Sequence, residues 1–112
     1  MKIPVKEQVA GKLAELIQDA EYRRGMVKVS DNCRDVRKEW LDKAYKAIEE
    51  VQAFNVLPEE SFSEFDNPNI TGSLHEYEAG IAGDLAAADV TRKAFDSDIR
   101  CLRNVRTLLA RS

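Results

Sequence analysis

Apolar residues recur every three or four positions over the first half of the chain, which is the pattern of amphipathic α-helices. The first series follows Pro4 and stops before Gly25, and it predicts a helix over residues 4–24. The second predicts a helix over residues 31–54, with Trp40 in mid-series as a core anchor rather than a partner contact. The two series consist of Val5, Val9, Leu13, Leu16, Ile17 and Ala20, and of Cys33, Val36, Trp40, Ala44, Ala47, Val51 and Phe54.

The last third of the chain carries a seven-residue apolar repeat, which is typical of helices that pack at a shallow angle. A capping box formed by Ser73 and Glu76 precedes it, and together they predict a helix over residues 74–110, about 55 Å long. This helix is longer than the other two. Either it breaks near Asp89 to give four helices, or it stays whole, the alternative we favour, and its overhang is covered by the preceding connection or by a second subunit. The repeat consists of Leu74, Ile81, Ala88, Phe95, Leu102 and Leu109, with Tyr77, Leu85, Thr91, Ile99 and Val105 between them.

The three series together predict an all-α fold, an antiparallel bundle of three long helices with coiled-coil-like packing. The length of 112 residues suits a single domain. No apolar run is long enough to span a membrane, and charges interrupt the first residues where a secretion signal would need an apolar run. We therefore expect a cytoplasmic protein. Cys33 and Cys101 lack disulfide or metal-site spacing, so we expect buried free thiols.

The net charge of −3 conceals a strong asymmetry along the chain. Residues 1–54 carry a net charge of +1, residues 55–90 carry −8 without a single Lys or Arg, and residues 91–112 carry +4. The acidic block includes the connection 55–72, where Pro, Gly and Asn interrupt the apolar periodicity and only one short helical turn could begin. An acidic block of this size attracts basic surfaces and repels nucleic acid.

Two aromatic residues alternate with acids inside this connection, which makes it the candidate partner-binding site. Phenylalanine anchors among carboxylates would suit a protein with a basic surface. The alternative is that both rings fold back over the helices and the acids are merely solvated. The candidate partner-binding residues are Glu59, Glu60, Phe62, Glu64, Phe65 and Asp66.

No motif for catalysis, a cofactor or a metal accompanies this site. His75 is the only histidine and has no partner group in the sequence, and Glu39 with Asp42 makes one weak acidic pair where a metal site needs several. Arg92, Arg103 and Arg106 share a helix face, but pairing with acids of a neighbouring helix or subunit explains them better than nucleic-acid binding. We therefore expect no enzyme, no cofactor and no metal.

The sequence favours a non-enzymatic protein–protein interaction module, such as an adaptor, regulator or inhibitor. One alternative is an inhibitor of phage or mobile-element type, whose acids imitate nucleic acid and block a host defence or DNA- or RNA-handling protein. Another is a homo-oligomeric structural protein, with a homodimer formed through the helix at residues 74–110.

Overall fold

The computed structural model describes four stretches of the chain. Within them every regular element is helical, which confirms the predicted all-α bundle. The described stretches are residues 6–27, 33–53, 57–71 and 84–111.

Three long helices and two short helical turns make up these stretches. The long helices are α1 (Lys6–Met26), α2 (Cys33–Gln52) and α4 (Asp84–Arg111), and the short turns are a 3-10 turn (Glu59–Phe62) and α3 (Pro68–Thr71). The connection predicted as an irregular loop over residues 55–72 thus contains both short turns. None of the described helices is both long and apolar enough to cross a membrane.

The direction of each helix follows from the pairs that join them. Lys12 binds Glu50 and Arg23 contacts Glu39, so α1 and α2 run antiparallel. Arg92 donates to the carbonyl of Val27, while Arg103 binds Glu21 farther along α4, so α1 and α4 are antiparallel as well. It follows that α2 and α4 run in the same direction. The chain must therefore return the full length of α2, about 30 Å, before α4 begins, which explains why the connection is long.

Helix α4 continues through Asp89 without interruption, so the predicted alternative of a break there is wrong. The part of the predicted helix before Asp84 lies outside the described residues. The apolar repeat is confirmed over α4, because all of its described positions are buried within one chain, against α1 and α2. The homodimer predicted through residues 74–110 therefore could not use these described positions, because they are already buried within one chain. These buried positions are Ala88, Thr91, Phe95, Ile99, Leu102, Val105 and Leu109.

The apolar series of α1 and α2 form the other two sides of the core. Trp40 is fully buried, and its indole N–H donates to the carbonyl of Leu16 at 3.0 Å, so the prediction of a core anchor is confirmed. Val36 is only partly buried. Val5 and Phe54 lie outside the described residues, and so does the side chain of Cys33. The remaining predicted positions are all buried: Val9, Leu13, Leu16, Ile17, Ala20, Ala44, Ala47 and Val51.

Of the three arginines on the predicted basic face of α4, one pairs with an acid of a neighbouring helix, as the pairing interpretation predicts. Arg103 binds Glu21 of α1, and Arg92 donates to the backbone carbonyl of Val27 at 2.7 Å. Arg106 is exposed. Two of the three arginines on the predicted basic face are thus used to hold α4 against α1.

Candidate functional site

Residues 57–71, which we call the strap, cross the bundle beside α2 and α4 and carry the predicted partner-binding residues. Three side chains of α4 hold the strap by its backbone, two of them through strap carbonyls. Ser97 Oγ donates to the carbonyl of Glu64 at 2.8 Å, and Cys101 Sγ donates to the carbonyl of Ser61 at 3.4 Å. The acidic connection is therefore fixed to the bundle over its described length.

A buried ion pair between α2 and α4 forms the centre of this attachment. Arg37 is 4% exposed and Asp98 is 0% exposed. The Arg37 guanidinium donates from Nε to Asp98 Oδ2 at 2.8 Å and from Nη2 to Asp98 Oδ1 at 3.2 Å. Burial raises the pKa of Asp98, and the hydrogen bonds from Arg37 oppose that rise. The pair remains buried because each charge satisfies the other.

Asp66 extends this pair from the core to the surface. Its backbone N–H donates to Asp98 Oδ1 at 2.9 Å, and its carboxylate accepts a hydrogen bond from Arg37 Nη2 at 3.0 Å. Its second carboxylate oxygen accepts a hydrogen bond from the Tyr45 hydroxyl. Asp66 has a φ of 48°, in the left-handed region that Asp adopts more readily than most residues. Four residues from two helices and the strap therefore form one hydrogen-bonded network.

An aromatic cluster lies next to this network. The Phe65 ring packs edge-on against Tyr45, with ring centroids 5.1 Å apart, and its centroid is 6.1 Å from that of Trp40. Trp40 in turn contacts Phe95 of α4, with centroids 5.6 Å apart. Such tilted and edge-on contacts between rings are favourable in cores. The strap is thus attached by apolar packing as well as by charge.

The predicted partner-binding residues therefore divide into two groups. Phe65 is buried in the core, and the Asp66 carboxylate, which is 30% exposed, forms an ion pair with Arg37, so both side chains are engaged within the chain. Glu59 and Glu60 are exposed, and Phe62 is half-buried. Glu64 keeps 46% of its side chain exposed, and its carboxylate lies 3.8 Å from Arg100.

A small cavity lies where the strap leaves α2. It has a volume of about 310 Å³, and Leu57 and Phe62 supply apolar walls while Glu59 supplies a carboxylate at its rim. Val51 and Gln52, at the end of α2, complete it. A Lys or Arg side chain placed here could lay its aliphatic stem on the apolar walls and its charge against the carboxylate.

We expect Tyr45 to titrate far above the ordinary range of a tyrosine. Burial, together with the hydrogen bond to Asp66 and the charge of Asp66, raises the pKa of Tyr45 from 10.0 to about 12. Because the folded state favours the neutral phenol, its contribution to stability is complete below pH 10 and is lost as the pH rises towards 12. The difference in tyrosinate absorbance between the wild type and Tyr45→Phe measures this pKa directly. In Asp66→Asn it should fall towards 10, and an unchanged value would contradict the role given to Asp66.

The strap region holds no arrangement suited to metal binding. Among the described residues, no group of three or more His, Cys, Asp or Glu side chains could hold a metal ion. Cys101 is a free, buried thiol, as predicted, and burial raises its pKa to about 11. His75 and the side chain of Cys33 lie outside the described residues.

Sequence reasoning missed the two buried charges that hold the strap. Arg37 directly follows Val36 of the second apolar series, and Asp98 directly precedes Ile99 of the third. A pair of opposite charges at the edges of two facing apolar series is the signal that could have suggested them.

Comparison with known protein families, curated proteins and solved structures finds no match to this chain.

Proposed function

We propose that the chain is a non-enzymatic protein–protein interaction module that binds a basic protein through the exposed part of the strap. The surface consists of Glu59, Glu60, Phe62 and Glu64, which we call the acidic edge. Phe65 and Asp66, although predicted as part of it, are occupied within the chain. The observation that carries the proposal is the firm attachment of this acidic edge to the bundle.

Attachment favours binding because it reduces the entropy lost when a partner is bound. A flexible acidic loop would have to become ordered, and each immobilised side chain or loop segment costs free energy. Here the strap is held by the buried Arg37–Asp98 pair and by the Phe65 ring before any partner arrives. The backbone that carries Glu59 and Glu60 is therefore held in a fixed relation to the half-buried Phe62 ring.

The charges of the acidic edge set the chemistry of the partner. Glu59 and Glu60 are exposed, and Glu64 has only the distant Arg100 contact, so a basic surface would find carboxylates that are still hydrated and free to pair. The cavity beside Phe62 adds an apolar contact of side-chain size. A Lys- or Arg-rich protein surface matches both features, since its long side chains combine an apolar stem with a charge.

The alternative of nucleic-acid mimicry receives less support from the described strap. A mimic presents a ladder of unpaired negative charges, whereas Asp66 and Asp98 share the single positive charge of Arg37. The described strap therefore offers three carboxylates near the surface: Glu59, Glu60 and Glu64.

The proposal is tested by capture from an extract of the source cells with the wild type and with Glu59→Lys/Glu60→Lys/Glu64→Lys. We expect a captured protein with a basic surface that the wild type retains at low salt and that the triple variant loses. A matched control, Glu7→Lys/Asp42→Lys/Asp89→Lys, makes the same change in net charge at exposed positions outside the strap.

The control variant distinguishes binding at the acidic edge from a general effect of net charge. If the control loses the partner as completely as the triple variant, net charge rather than the acidic edge determines binding, and the proposed placement is wrong. If the captured protein binds DNA or RNA and this chain competes with the nucleic acid for it, mimicry replaces the general interaction module. Capture that is unchanged in the triple variant contradicts both.

A further inference from the structure

A groove of about 470 Å³ runs between α1 and α2, and only residues of these two helices line it. Leu16 and Ala47 contribute its apolar floor, and the other lining residues are charged. On α1 these are Lys12, Glu15 and Asp19, and on α2 they are Lys43, Lys46 and Glu50.

Each position of charge on the α1 wall lies opposite a position of the other sign on the α2 wall. At one end Lys12 of α1 stands level with Glu50 of α2, and the two form an ion pair at 2.9 Å. At the other end Arg23 of α1 lies 3.3 Å from Glu39 of α2. Acids of α1 and lysines of α2 occupy the middle.

The middle of the groove differs from its ends because its charges do not pair across it. Glu15, Lys43 and Lys46 form no ion pair with any described residue, and Asp19 pairs with Arg23 of its own helix. An acidic wall thus faces a basic wall, with space between them. Neither wall is fully satisfied by the other.

This pattern is complementary to itself, and we propose that a second copy of this chain binds on the α1–α2 face. A two-fold axis parallel to the helices places α1 of each copy over α2 of the other at the same level. Glu15 then faces Lys46 of the second copy, and Asp19 faces Lys43 of the second copy. Every contact occurs twice, and the four helices form a bundle in which all neighbours are antiparallel.

The same charges select this arrangement over the other two-fold arrangement. With the axis perpendicular to the helices, α1 lies on α1 of the second copy in the opposite direction. Glu15 then approaches Asp19 of the second copy, and Lys12 approaches Arg23 of the second copy. Like charges placed opposite each other across an interface strongly disfavour a complex.

The face is large enough for a reversible dimer. Helices α1 and α2 are 21 and 20 residues long, which corresponds to about 30 Å. Two packed helices are about 20 Å wide, so the face offers about 600 Å² per copy, or about 1,200 Å² in total. This is the lower limit for a specific interface, and we expect a dimer that dissociates on dilution.

The experiment compares sedimentation of the wild type with two charge-reversed variants, Glu15→Lys/Asp19→Lys and Lys43→Glu/Lys46→Glu. Concentrations between about 10 μM and about 1 mM cover the dissociation constants of weak complexes. We expect the wild type to dimerise and each variant alone to dimerise about 100-fold more weakly or not at all, because each places like charges opposite each other.

Mixing the two variants is the decisive measurement. In the mixed dimer, the lysines introduced on α1 of one copy face the glutamates introduced on α2 of the other, and the unchanged walls also match. We therefore expect an equimolar mixture to recover dimerisation close to that of the wild type. Pairing within one chain cannot produce this recovery, since each variant has two walls of like charge.

Two control variants make the same changes in charge outside the groove, Glu59→Lys/Glu60→Lys and Arg106→Glu/Arg111→Glu. Both should dimerise like the wild type, and circular dichroism confirms that each variant is folded. A wild type that stays monomeric at about 1 mM overturns the proposal, and so does a mixture that stays monomeric while both variants are folded. Since the acidic edge lies outside the groove, loss of partner capture through it leaves this result unaffected.

Discussion

Replacing Asp98 with Ala should lower the free energy of unfolding by about 3–5 kcal/mol. The substitution leaves the Arg37 guanidinium, which is 4% exposed, with only the partly exposed Asp66 as a carboxylate partner. A guanidinium stays charged in proteins, so it cannot avoid the cost of burial by losing a proton. The backbone N–H of Asp66 also loses its acceptor. Urea unfolding followed by circular dichroism measures the loss.

Removing both charges should cost much less than removing one. In Arg37→Leu/Asp98→Leu the two most deeply buried charges are gone, and the Asp66 carboxylate, which loses Arg37, is 30% exposed and still accepts from the Tyr45 hydroxyl. Buried ion pairs replaced by apolar residues are often close to neutral in stability. We expect the double variant to be more stable than Asp98→Ala by at least about 1–2 kcal/mol. Equal instability of the two variants would show that the pair contributes more than mutual neutralisation.

A surface ion pair of the same kind provides the control. Asp96 binds Arg24 between α4 and α1, and both side chains are close to half exposed. Asp96→Ala should therefore change the stability by about 0–1 kcal/mol. Hydrogen exchange adds a local test, since the amide of Asp66 should exchange faster in Asp98→Ala than in Asp96→Ala.

The three long helices could be predicted because their signals are local and repeated. Helix α1 ends within two residues of the predicted position, and the heptad positions of α4 are buried wherever they are described. Apolar periodicity directly reflects which face of a helix is removed from water, so the face that it predicts is the face that is buried in the folded structure. Helix direction is different, because it depends on the connection between α2 and α4, and periodicity carries no information about that path.

The strap shows where sequence reasoning reaches its limit. Phe62 and Phe65 are three residues apart among the same kind of neighbours, yet Phe62 is half-buried and Phe65 is in the core. The two rings differ in burial because Asp66, next to Phe65, is bound by Arg37 of α2 and by the side chain of Asp98 of α4. These contacts join residues 29 and 32 positions apart. No local pattern in the sequence of the strap predicts these contacts.

Replacing Trp40 with Ala should also lower the free energy of unfolding by about 3–5 kcal/mol. Trp40 is the only tryptophan, is 0% exposed, and contacts Phe65 of the strap and Phe95 of α4. Its removal creates a cavity where α2, α4 and the strap meet. Since domains of this size are stable by only about 5–15 kcal/mol, this loss would leave the variant close to unfolding.

Two further variants separate the contributions of Trp40. Trp40→Phe keeps an aromatic ring against Phe95 and loses only the indole N–H that donates to the carbonyl of Leu16, together with part of the packed volume, so its cost should lie below that of Trp40→Ala. Tyr22→Ala removes an aromatic residue that is 69% exposed on α1 and should change stability by no more than about 0.5 kcal/mol. Urea unfolding followed by circular dichroism gives all three values.

The same series decides between the two roles that the sequence allowed for Trp40. A core anchor predicts a large loss of stability in Trp40→Ala, with the strap loosened because Phe65 loses a neighbour. A partner contact predicts normal stability with loss of binding. If Trp40→Ala were no less stable than Tyr22→Ala, the packing of the strap on the bundle would be wrong. The acidic edge would then lose the attachment on which its proposed function depends.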